Sequence, residues 1–276
     1  MAMNIKALEK SYNSRSGSNE FWRPKAEKTT IRLLPPKGDG VELPWVGAIY
    51  HYKLPLSTEP VPCAKTVNKA TGKIEGQCPI CDYVNKLFKS GNEEDKNLAG
   101  LIKPSASYYA NILDKSEGIP EVQMRPKVYK FSKTVKEQLE NCFRVNKGPD
   151  GTILYGEDLA DVDASLIKVE FIDITDAVTG VNVQLIKGEK DLPGGKKMPT
   201  YTAIKGKKPA PLLNREAVLG GCKDLTKYIV KADLTELQKN LKVLMGKTIE
   251  EEDTDEISMD IPKDVTYGST ASFDEV

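Results

Sequence analysis

Hydrophobic and polar positions alternate in short segments along much of the chain, a pattern that predicts β-strands. The segments TTIRLLP and VELPWVGAIYHYKL, which follow Phe21, are bounded by Pro and Gly and predict two strands. SASYYANIL, from Ser105 to Leu113, predicts a third strand by β-propensity. The clearest alternation is in SLIKVEFIDIT, after Ala164, and we expect this strand to pair with VNVQLIKG across a turn at 176–180.

Three other segments have a helical period. CDYVNKLFKSG places Val84, Leu87 and Phe88 on one face and reaches Gly91, a residue typical of helix ends. KTVKEQLENCF follows Ser132, which predicts an N-cap. DLTELQKNLKVLMG is the third helical segment. These helices interrupt the strands, so the sequence predicts a mainly β fold with α additions, an α+β class.

Two further segments lack a hydrophobic period of their own. Residues 55–77 are rich in Pro, Lys and Gly and need some other device to hold them in place. Residues 192–211 are dominated by Gly, Pro and Lys and predict a long loop. The first 20 residues are short and polar, with scattered cations, and predict a flexible arm.

The composition removes several classes of protein. No run of about 18 apolar residues is present, which argues against a membrane span. The N-terminus lacks the apolar core of a secretory signal, so we expect a cytoplasmic protein with reduced cysteines.

The net charge of zero is the sum of two segments of opposite charge. Residues 249–276 carry ten acidic side chains and one basic one, whereas residues 1–248 carry 39 basic and 30 acidic ones. Such asymmetry is typical of a basic surface for a polyanion combined with an acidic, disordered tail. A tail that only aids solubility is the alternative.

One cluster of residues predicts a metal site. His51, the only histidine, is followed by Cys63, Cys78 and Cys81 in the pattern H-x11-C-x14-C-P-I-C. Two thiolates from one tight turn and two further ligands complete the tetrahedron that zinc prefers. Four protein ligands leave no open position, which favours one structural Zn2+ per chain that fixes residues 55–77.

The alternative for this cluster is a redox C-x-x-C pair with an unrelated histidine. The two remaining cysteines, Cys142 and Cys222, have no partner pattern, and we expect them to be small buried hydrophobic residues.

These motifs resemble those of a known family. The run FWRPKAEKTTIRLLPPK, the order of the metal ligands and the segment SYYANIL are similar to the gene 32 family of single-stranded DNA-binding proteins of T-even bacteriophages, over roughly residues 20–175. The resemblance implies an OB-fold core and a closed zinc site. It also implies self-association on DNA through the N-terminal arm and an acidic tail that recruits replication proteins.

The resulting domain prediction has three parts. Residues 1–20 form the arm, residues 21–248 form the OB-type core with a zinc subdomain at about 50–91, and residues 249–276 form the acidic tail. Within the tail, Phe273 with Asp274 and Glu275 is the predicted anchor for partner proteins.

Interleaved cations and aromatic rings predict the DNA surface, because cations follow phosphates and rings stack on bases. For any single tyrosine, half-buried packing is the alternative. Adjacent residues on a strand point to opposite faces, so at most one of Tyr108 and Tyr109 should stack on a base. The predicted DNA-binding residues are Lys103, Tyr108, Tyr109, Arg125, Lys127, Tyr129, Lys130, Phe131, Lys133, Lys196, Lys197, Tyr201, Lys205, Lys207 and Lys208.

The function predicted from these features is sequence-independent binding that coats and protects single-stranded DNA in phage replication, recombination and repair, in the cytoplasm of the bacterial host. The expected partners are polymerase, helicase loader and recombination mediator. With the only histidine assigned to zinc, we expect no enzymatic activity. The alternatives are an accessory to a zinc-dependent nuclease or primase, or a zinc-ribbon RNA-binding factor.

Overall fold

The computed structural model describes residues 21–118, 120–154, 159, 162–192 and 196–246. The predicted N-terminal arm and the acidic tail, including Phe273, Asp274 and Glu275, lie outside these residues, as does the side chain of Lys196. Within the described residues, no helix combines the length and the apolar character needed to cross a membrane.

The described elements mix helices and strands throughout the chain, which confirms the α+β prediction. The helices are α1 (Pro79–Lys89), α2 (Glu93–Ile102), α3 (Pro120–Gln123), α4 (Lys133–Phe143), α5 (Arg215–Gly221) and α6 (Leu234–Leu244), with 3-10 turns at Ala164–Leu166 and Leu225–Tyr228. The strands are β1 (Phe21–Trp22), β2 (Lys28–Leu33), β3 (Trp45–His51), β4 (Val61–Pro62), β5 (Thr66–Val67), β6 (Ile74–Glu75), β7 (Pro104–Asp114), β8 (Lys127–Ser132), β9 (Arg144–Lys147), β10 (Ile153–Leu154), β11 (Lys168–Phe171), β12 (Val181–Leu192) and β13 (Lys196–Pro209).

The main sheet is organised around β7, the segment predicted from SASYYANIL. One edge of β7 pairs with β8, and the other edge pairs with β3 along its first part and with β2 at its end. The sheet continues from β2 to β12 and β13, and β1 lies beside β8. Among the described residues the two ends of this path, β1 and β13, do not pair with each other. The closed OB barrel implied by the family resemblance is therefore not found in these pairings.

Both faces of β7 are covered by apolar side chains. Tyr108, Ala110 and Ile112 belong to the largest hydrophobic cluster, whereas Tyr109 and Leu113 belong to two smaller clusters. This alternation follows from the two-residue period of a strand. It confirms that Tyr108 and Tyr109 point to opposite faces.

The predicted helices are present with their expected ends. Ser132 caps α4 by accepting a hydrogen bond from the Val135 backbone N–H. Gly91, just after α1, has a φ of 79° and occupies the left-handed region that favours glycine. Of the three residues predicted to share one face of α1, Val84 and Leu87 are buried, whereas Phe88 is 41% exposed.

The prediction of a long loop at residues 192–211 is wrong. Most of this segment is β13, which pairs with β12 from Leu192↔Lys196 to Val181↔Pro209 and forms a long hairpin. The alternation in TYTAIK outweighs the Gly, Pro and Lys content, since Tyr201 and Ala203 pack against the main core.

The expected pairing of SLIKVEFIDIT with VNVQLIKG is not observed. β11 pairs with β9, and all four residues of β11 are exposed. β12 instead pairs with β2 and β13. The physical reason is burial: Val183 and Leu185 of β12 are buried against the core, which the exposed β11 does not reach.

Candidate metal centre and nucleic-acid groove

Four potential metal ligands converge from three elements. His51 is the last residue of β3, Cys63 follows β4, and Cys78 and Cys81 lie at the start of α1. Their ligand atoms all lie within 4.8 Å of one another, and all four residues are buried. The cluster predicted from the sequence spacing is therefore assembled and could hold a metal ion.

The distances between the ligand atoms are short enough for all four residues to bind one ion. The Nε2 atom of His51 lies 3.4 Å from the sulfur of Cys78 and 3.7 Å from that of Cys81, and the sulfurs of Cys63 and Cys81 are 3.5 Å apart. The other ring nitrogen, Nδ1, lies 2.9 Å from the carbonyl oxygen of Ile102. Such a bond fixes the ring and leaves Nε2 as the ligand atom, as in metal-binding histidines.

The side chains of this cluster shift one another's pKa values. Burial opposes protonation of the imidazole, but the neighbouring sulfurs of Cys63 and Cys78 and the Ile102 carbonyl raise the pKa of His51 to about 10. Hydrogen bonds from Cys63 and Cys81 lower the pKa of Cys78, while contacts with Cys63 and Cys78 raise that of Cys81. His51, Cys78 and Cys81 compete for protons, which a bound cation would replace.

The donor set decides which kind of ion fits. Three sulfurs and one imidazole nitrogen are soft and borderline ligands, which suit zinc in a closed tetrahedral site. Cys142 and Cys222 are buried outside this cluster, and their sulfurs lie 3.5 Å from the carbonyl oxygens of Gln138 and Val218. The expectation that they are small buried residues is confirmed.

The segment at 55–77 is held by the cluster and by α6. The backbone N–H of Leu56 donates to Asn240 Oδ1 at 3.0 Å, and the Ser57 hydroxyl lies 2.7 Å from Glu236 Oε1. On the metal-site helix α1, the Tyr83 hydroxyl donates to the carbonyl oxygen of Leu244 at 3.1 Å. α6 therefore contacts both the start of the segment at 55–77 and the helix that carries Cys81.

A groove of about 710 Å³ lies between β1, the start of β8 and the segment around Tyr228. Among the described residues, no acidic side chain lines it. Its basic lining residues are Arg23, Lys25, Lys127 and Lys223. The backbone of Lys223 is fixed by the buried Asn111, whose amide donates to the Lys223 carbonyl at 2.8 Å and accepts from its N–H at 2.9 Å.

Two half-buried rings, Phe21 and Tyr228, line the groove, and we call them the aromatic wall. Their centroids are 5.4 Å apart with an angle of 65° between the planes. A groove that combines cations with partly exposed rings has the two features needed to bind a flexible polynucleotide.

Four of the aromatic residues predicted to stack on DNA are buried and do not line the groove. Tyr108, Tyr109, Tyr129 and Phe131 are 3%, 3%, 2% and 5% exposed, and their rings are covered by protein. Tyr108 stacks on Phe131, and Tyr129 meets Trp22 edge to face. Stacking on a base needs an open ring face, so the described conformation does not support this role for the four rings.

The predicted cations are spread over several elements. Lys127 lines the groove, and the ammonium of Lys130 lies 5.7 Å from the centroid of the Phe21 ring. Lys103 and Arg125 are exposed outside the groove, and Lys133 pairs with Glu137 at 3.6 Å.

No described residue of β13 lines the groove. Lys197 pairs with Glu189 at 2.9 Å, and Lys205 donates to the Arg144 carbonyl at 2.8 Å. Lys207 and Lys208 are exposed, and Tyr201 is half-buried.

Of the residues that line the groove, sequence reasoning found only Lys127; it missed, among others, Phe21, Arg23, Lys25, Lys223 and Tyr228. The segment FWRPK carries the signal that could have found the first three, because it interleaves aromatic and basic residues. Lys223 and Tyr228 come from a distant part of the chain and carry no such local signal.

Comparison with known protein families identifies a similar family for part of the chain. Residues 25–153 match the family model described as gp32 DNA binding protein like. This match defines a gp32-like region that covers slightly less than half of the chain. The gp32-like region includes all four residues of the metal cluster and the strands β2 to β9. Of the groove, Phe21, Arg23, Lys223 and Tyr228 lie outside it. The comparison with curated proteins gave no match.

Proposed function

We propose that this chain binds single-stranded DNA without reading its sequence, and that it coats and protects unpaired DNA in phage replication, recombination and repair. The observation that carries the proposal is the groove, in which four cations and the aromatic wall occur together. The match of residues 25–153 to the gp32-like DNA-binding family supports it independently.

The groove would bind an unpaired strand by two physical effects. Each base that stacks on a ring contributes about 1 to 3 kcal/mol, and this contribution tolerates any sequence because every base has a flat face. Each phosphate that meets a cation releases counterions, which gives a slope of about −0.7 in log K against log salt. In a duplex the base faces are already stacked, so the aromatic wall discriminates in favour of unpaired strands.

We infer that the metal is one structural Zn2+ held by His51, Cys63, Cys78 and Cys81. Four protein ligands would leave the ion without an open position, so its contribution when bound is to stabilise the fold. The residues around it keep the segment at 55–77 and helix α6 in place.

We also propose a division of the chain into domains, each with its own role. An OB-type core at 21–248, a zinc subdomain at about 50–91, the arm at 1–20 and the tail at 249–276 are proposed domains. The tail, through Phe273, Asp274 and Glu275, would recruit polymerase, helicase loader and recombination mediator in the cytoplasm of the bacterial host. The arm would support self-association on DNA.

A binding titration tests this function. The full chain is titrated with dT, rU and duplex oligomers of equal length over a salt series, and the zinc content is measured on the same sample. We expect tight dT binding that weakens with salt. A preference for duplex would overturn the proposal, and a preference for rU would favour an RNA-binding factor. Cleavage or extension of labelled DNA with Mg2+ would favour the enzyme accessory.

A matched pair of variants then tests the groove. Tyr228→Ala removes one ring of the aromatic wall, whereas Phe171→Ala removes an aromatic ring that is 74% exposed on β11, outside the groove. We expect weaker dT binding only for Tyr228→Ala.

A further inference from the structure

Three aromatic rings contact one another at the groove. Tyr109 and Tyr228 have ring centroids 5.0 Å apart and planes only 12° apart, so they form an offset stack. Phe21 lies 5.4 Å from Tyr109 and 5.4 Å from Tyr228. Tyr109 is buried, while the other two rings are half-buried and line the groove. Tyr109 thus lies behind the aromatic wall.

The backbone around Tyr109 is held more firmly than the backbone of the wall. Tyr109 is central in β7, where it pairs with Val46 on one side and Lys130 on the other. Phe21 belongs to a strand of two residues, and Tyr228 ends a 3-10 turn of four residues. Short elements of this kind provide few hydrogen bonds to fix a side chain.

The surroundings of Tyr109 also fix its ring. It packs with Val46, Val128 and Leu225 in a buried cluster that Phe21 and Tyr228 adjoin. The ammonium of Lys130 lies 5.8 Å from the Tyr109 centroid and 5.7 Å from that of Phe21, within the range of a cation–π contact. The ring of Tyr109 therefore provides a rigid base for both rings of the wall.

We propose that Tyr109 is a positioning residue of the groove: its ring supports Tyr228 and Phe21 from behind and holds them in place at the groove before a base arrives. This inference rests on the proposed function. Tyr109 itself does not contact DNA. Its contribution to affinity is pre-organisation, since rings already fixed in the binding orientation lose less conformational freedom when a strand binds.

A double-mutant cycle tests this role, with affinity for a dT oligomer measured at two salt concentrations. The variants are Tyr109→Phe, Tyr109→Leu, Tyr228→Ala and the combination of the last two. Tyr109→Phe keeps the ring, and we expect binding within about twofold of the unaltered chain. Tyr109→Leu and Tyr228→Ala should each weaken binding, the latter by about tenfold. Neither should change the salt slope, because no cation is removed.

The decisive measurement is the dT affinity of the variant that combines Tyr109→Leu with Tyr228→Ala. If Tyr109 acts through the two rings of the wall, adding Tyr109→Leu to Tyr228→Ala should cause a smaller loss than Tyr109→Leu causes alone, because only the support of Phe21 remains to be lost. Additive losses would overturn the inference, because Tyr109 would then contribute on its own. A dT oligomer that contains 2-aminopurine provides a second readout: its fluorescence should be quenched by the unaltered chain and by Tyr109→Phe, and less by Tyr109→Leu.

Tyr108→Leu controls for damage to β7. Tyr108 neighbours Tyr109, is equally buried and faces the main core away from the wall. We expect it to lower the unfolding midpoint with little effect on dT affinity. An equal loss of affinity in both variants would show general disruption of β7 and would also overturn the inference.

Failure of the proposed function gives a different pattern. If the unaltered chain does not bind dT, the function itself is wrong. If it binds dT but Tyr228→Ala has no effect, single-stranded DNA binding stands, and the groove and the role of Tyr109 are overturned.

Discussion

The indole N–H of Trp22 donates a hydrogen bond of 2.7 Å to the carboxylate of Asp114, a buried residue at the end of β7. The same carboxylate accepts from the Ser116 backbone N–H at 3.0 Å and lies 3.7 Å from the ammonium of Lys127. Because β1 contains only Phe21 and Trp22, this bond is a principal anchor of the strand that carries Phe21. One buried carboxylate thus fixes both a ring and a cation of the groove.

Replacing Trp22 by Phe should therefore destabilise the fold. The substitution keeps an aromatic ring but removes the N–H donor, which leaves a buried carboxylate oxygen with one hydrogen bond fewer. We expect a loss of about 1–3 kcal/mol in the free energy of unfolding, measured by urea denaturation. Binding of dT oligomers should also weaken, because the position of Phe21 depends on β1.

Trp45→Phe is the matched control. Trp45 is also buried, but its Nε1 has no hydrogen-bond partner among the described residues. The loss of ring volume is the same in the two variants, so the difference between them isolates the bond to Asp114. Equal losses of stability would contradict an anchoring role for that bond.

The cations of the groove should contribute unequally to the salt dependence. Lys223 is exposed, whereas the ammonium of Lys127 lies 2.6 Å from Glu117 and 3.7 Å from Asp114. We expect Lys223→Met to reduce the magnitude of the slope of log K against log salt by about 0.7. Lys127→Met should change it less, because that charge is already largely neutralised within the protein.

Lys96→Met provides the baseline for this comparison, since Lys96 lies on α2 outside the groove. The slopes are obtained from fluorescence titrations with dT oligomers at four or more salt concentrations. A larger change for Lys127→Met than for Lys223→Met would refute internal neutralisation of Lys127.

Local patterns predicted those parts of the molecule whose physical cause is local. Ser132 caps α4 because the capping hydrogen bond joins residues three positions apart. The metal cluster was predictable because zinc ligands have characteristic spacings, and three of the four ligands here fall within 19 positions.

Features that depend on distant parts of the chain were not predictable in this way. The aromatic wall joins Phe21 to Tyr228, and no sequence period relates these two residues. The interleaved tyrosines of β7 and β8 predict a DNA surface, but both faces of these strands are covered once β1 and the 3-10 turn at Leu225–Tyr228 pack on them. At β13 the Gly and Pro content predicts a loop, but cross-strand pairing with β12 outweighs it.

Removal of the proposed zinc ion should loosen both the segment at 55–77 and helix α6. This segment has few buried apolar residues, and α6 is bonded to Leu56, Ser57 and the metal-site helix. Structural zinc sites in small peptides contribute about 10 kcal/mol or more of folding free energy. After chelation we expect faster trypsin cleavage at Lys65, Lys69, Lys73 and Lys231, detected by mass spectrometry, and reversal on addition of Zn2+.

Cysteine variants provide the control for chelation. Cys81→Ser should lose the bound ion and show the same cleavage pattern, while Cys222→Ser should keep one ion per chain, because Cys222 lies outside the cluster. An unchanged zinc content in Cys81→Ser would contradict the proposed ligand set.

Truncation after Lys247 should raise the affinity for single-stranded DNA at low salt. The removed segment, 248–276, carries ten acidic residues and one basic residue, so it has the same sign of charge as a phosphate backbone. It would compete with DNA for the cations of the groove, and this competition should weaken as salt screens both polyanions. The two affinities should therefore converge at high salt in titrations with a dT oligomer.

A chain in which the acidic residues of the tail are changed to Asn and Gln separates charge from length: it should behave like the truncated chain. If it instead binds like the unaltered chain, charge competition is wrong, and the tail affects binding by its bulk or not at all.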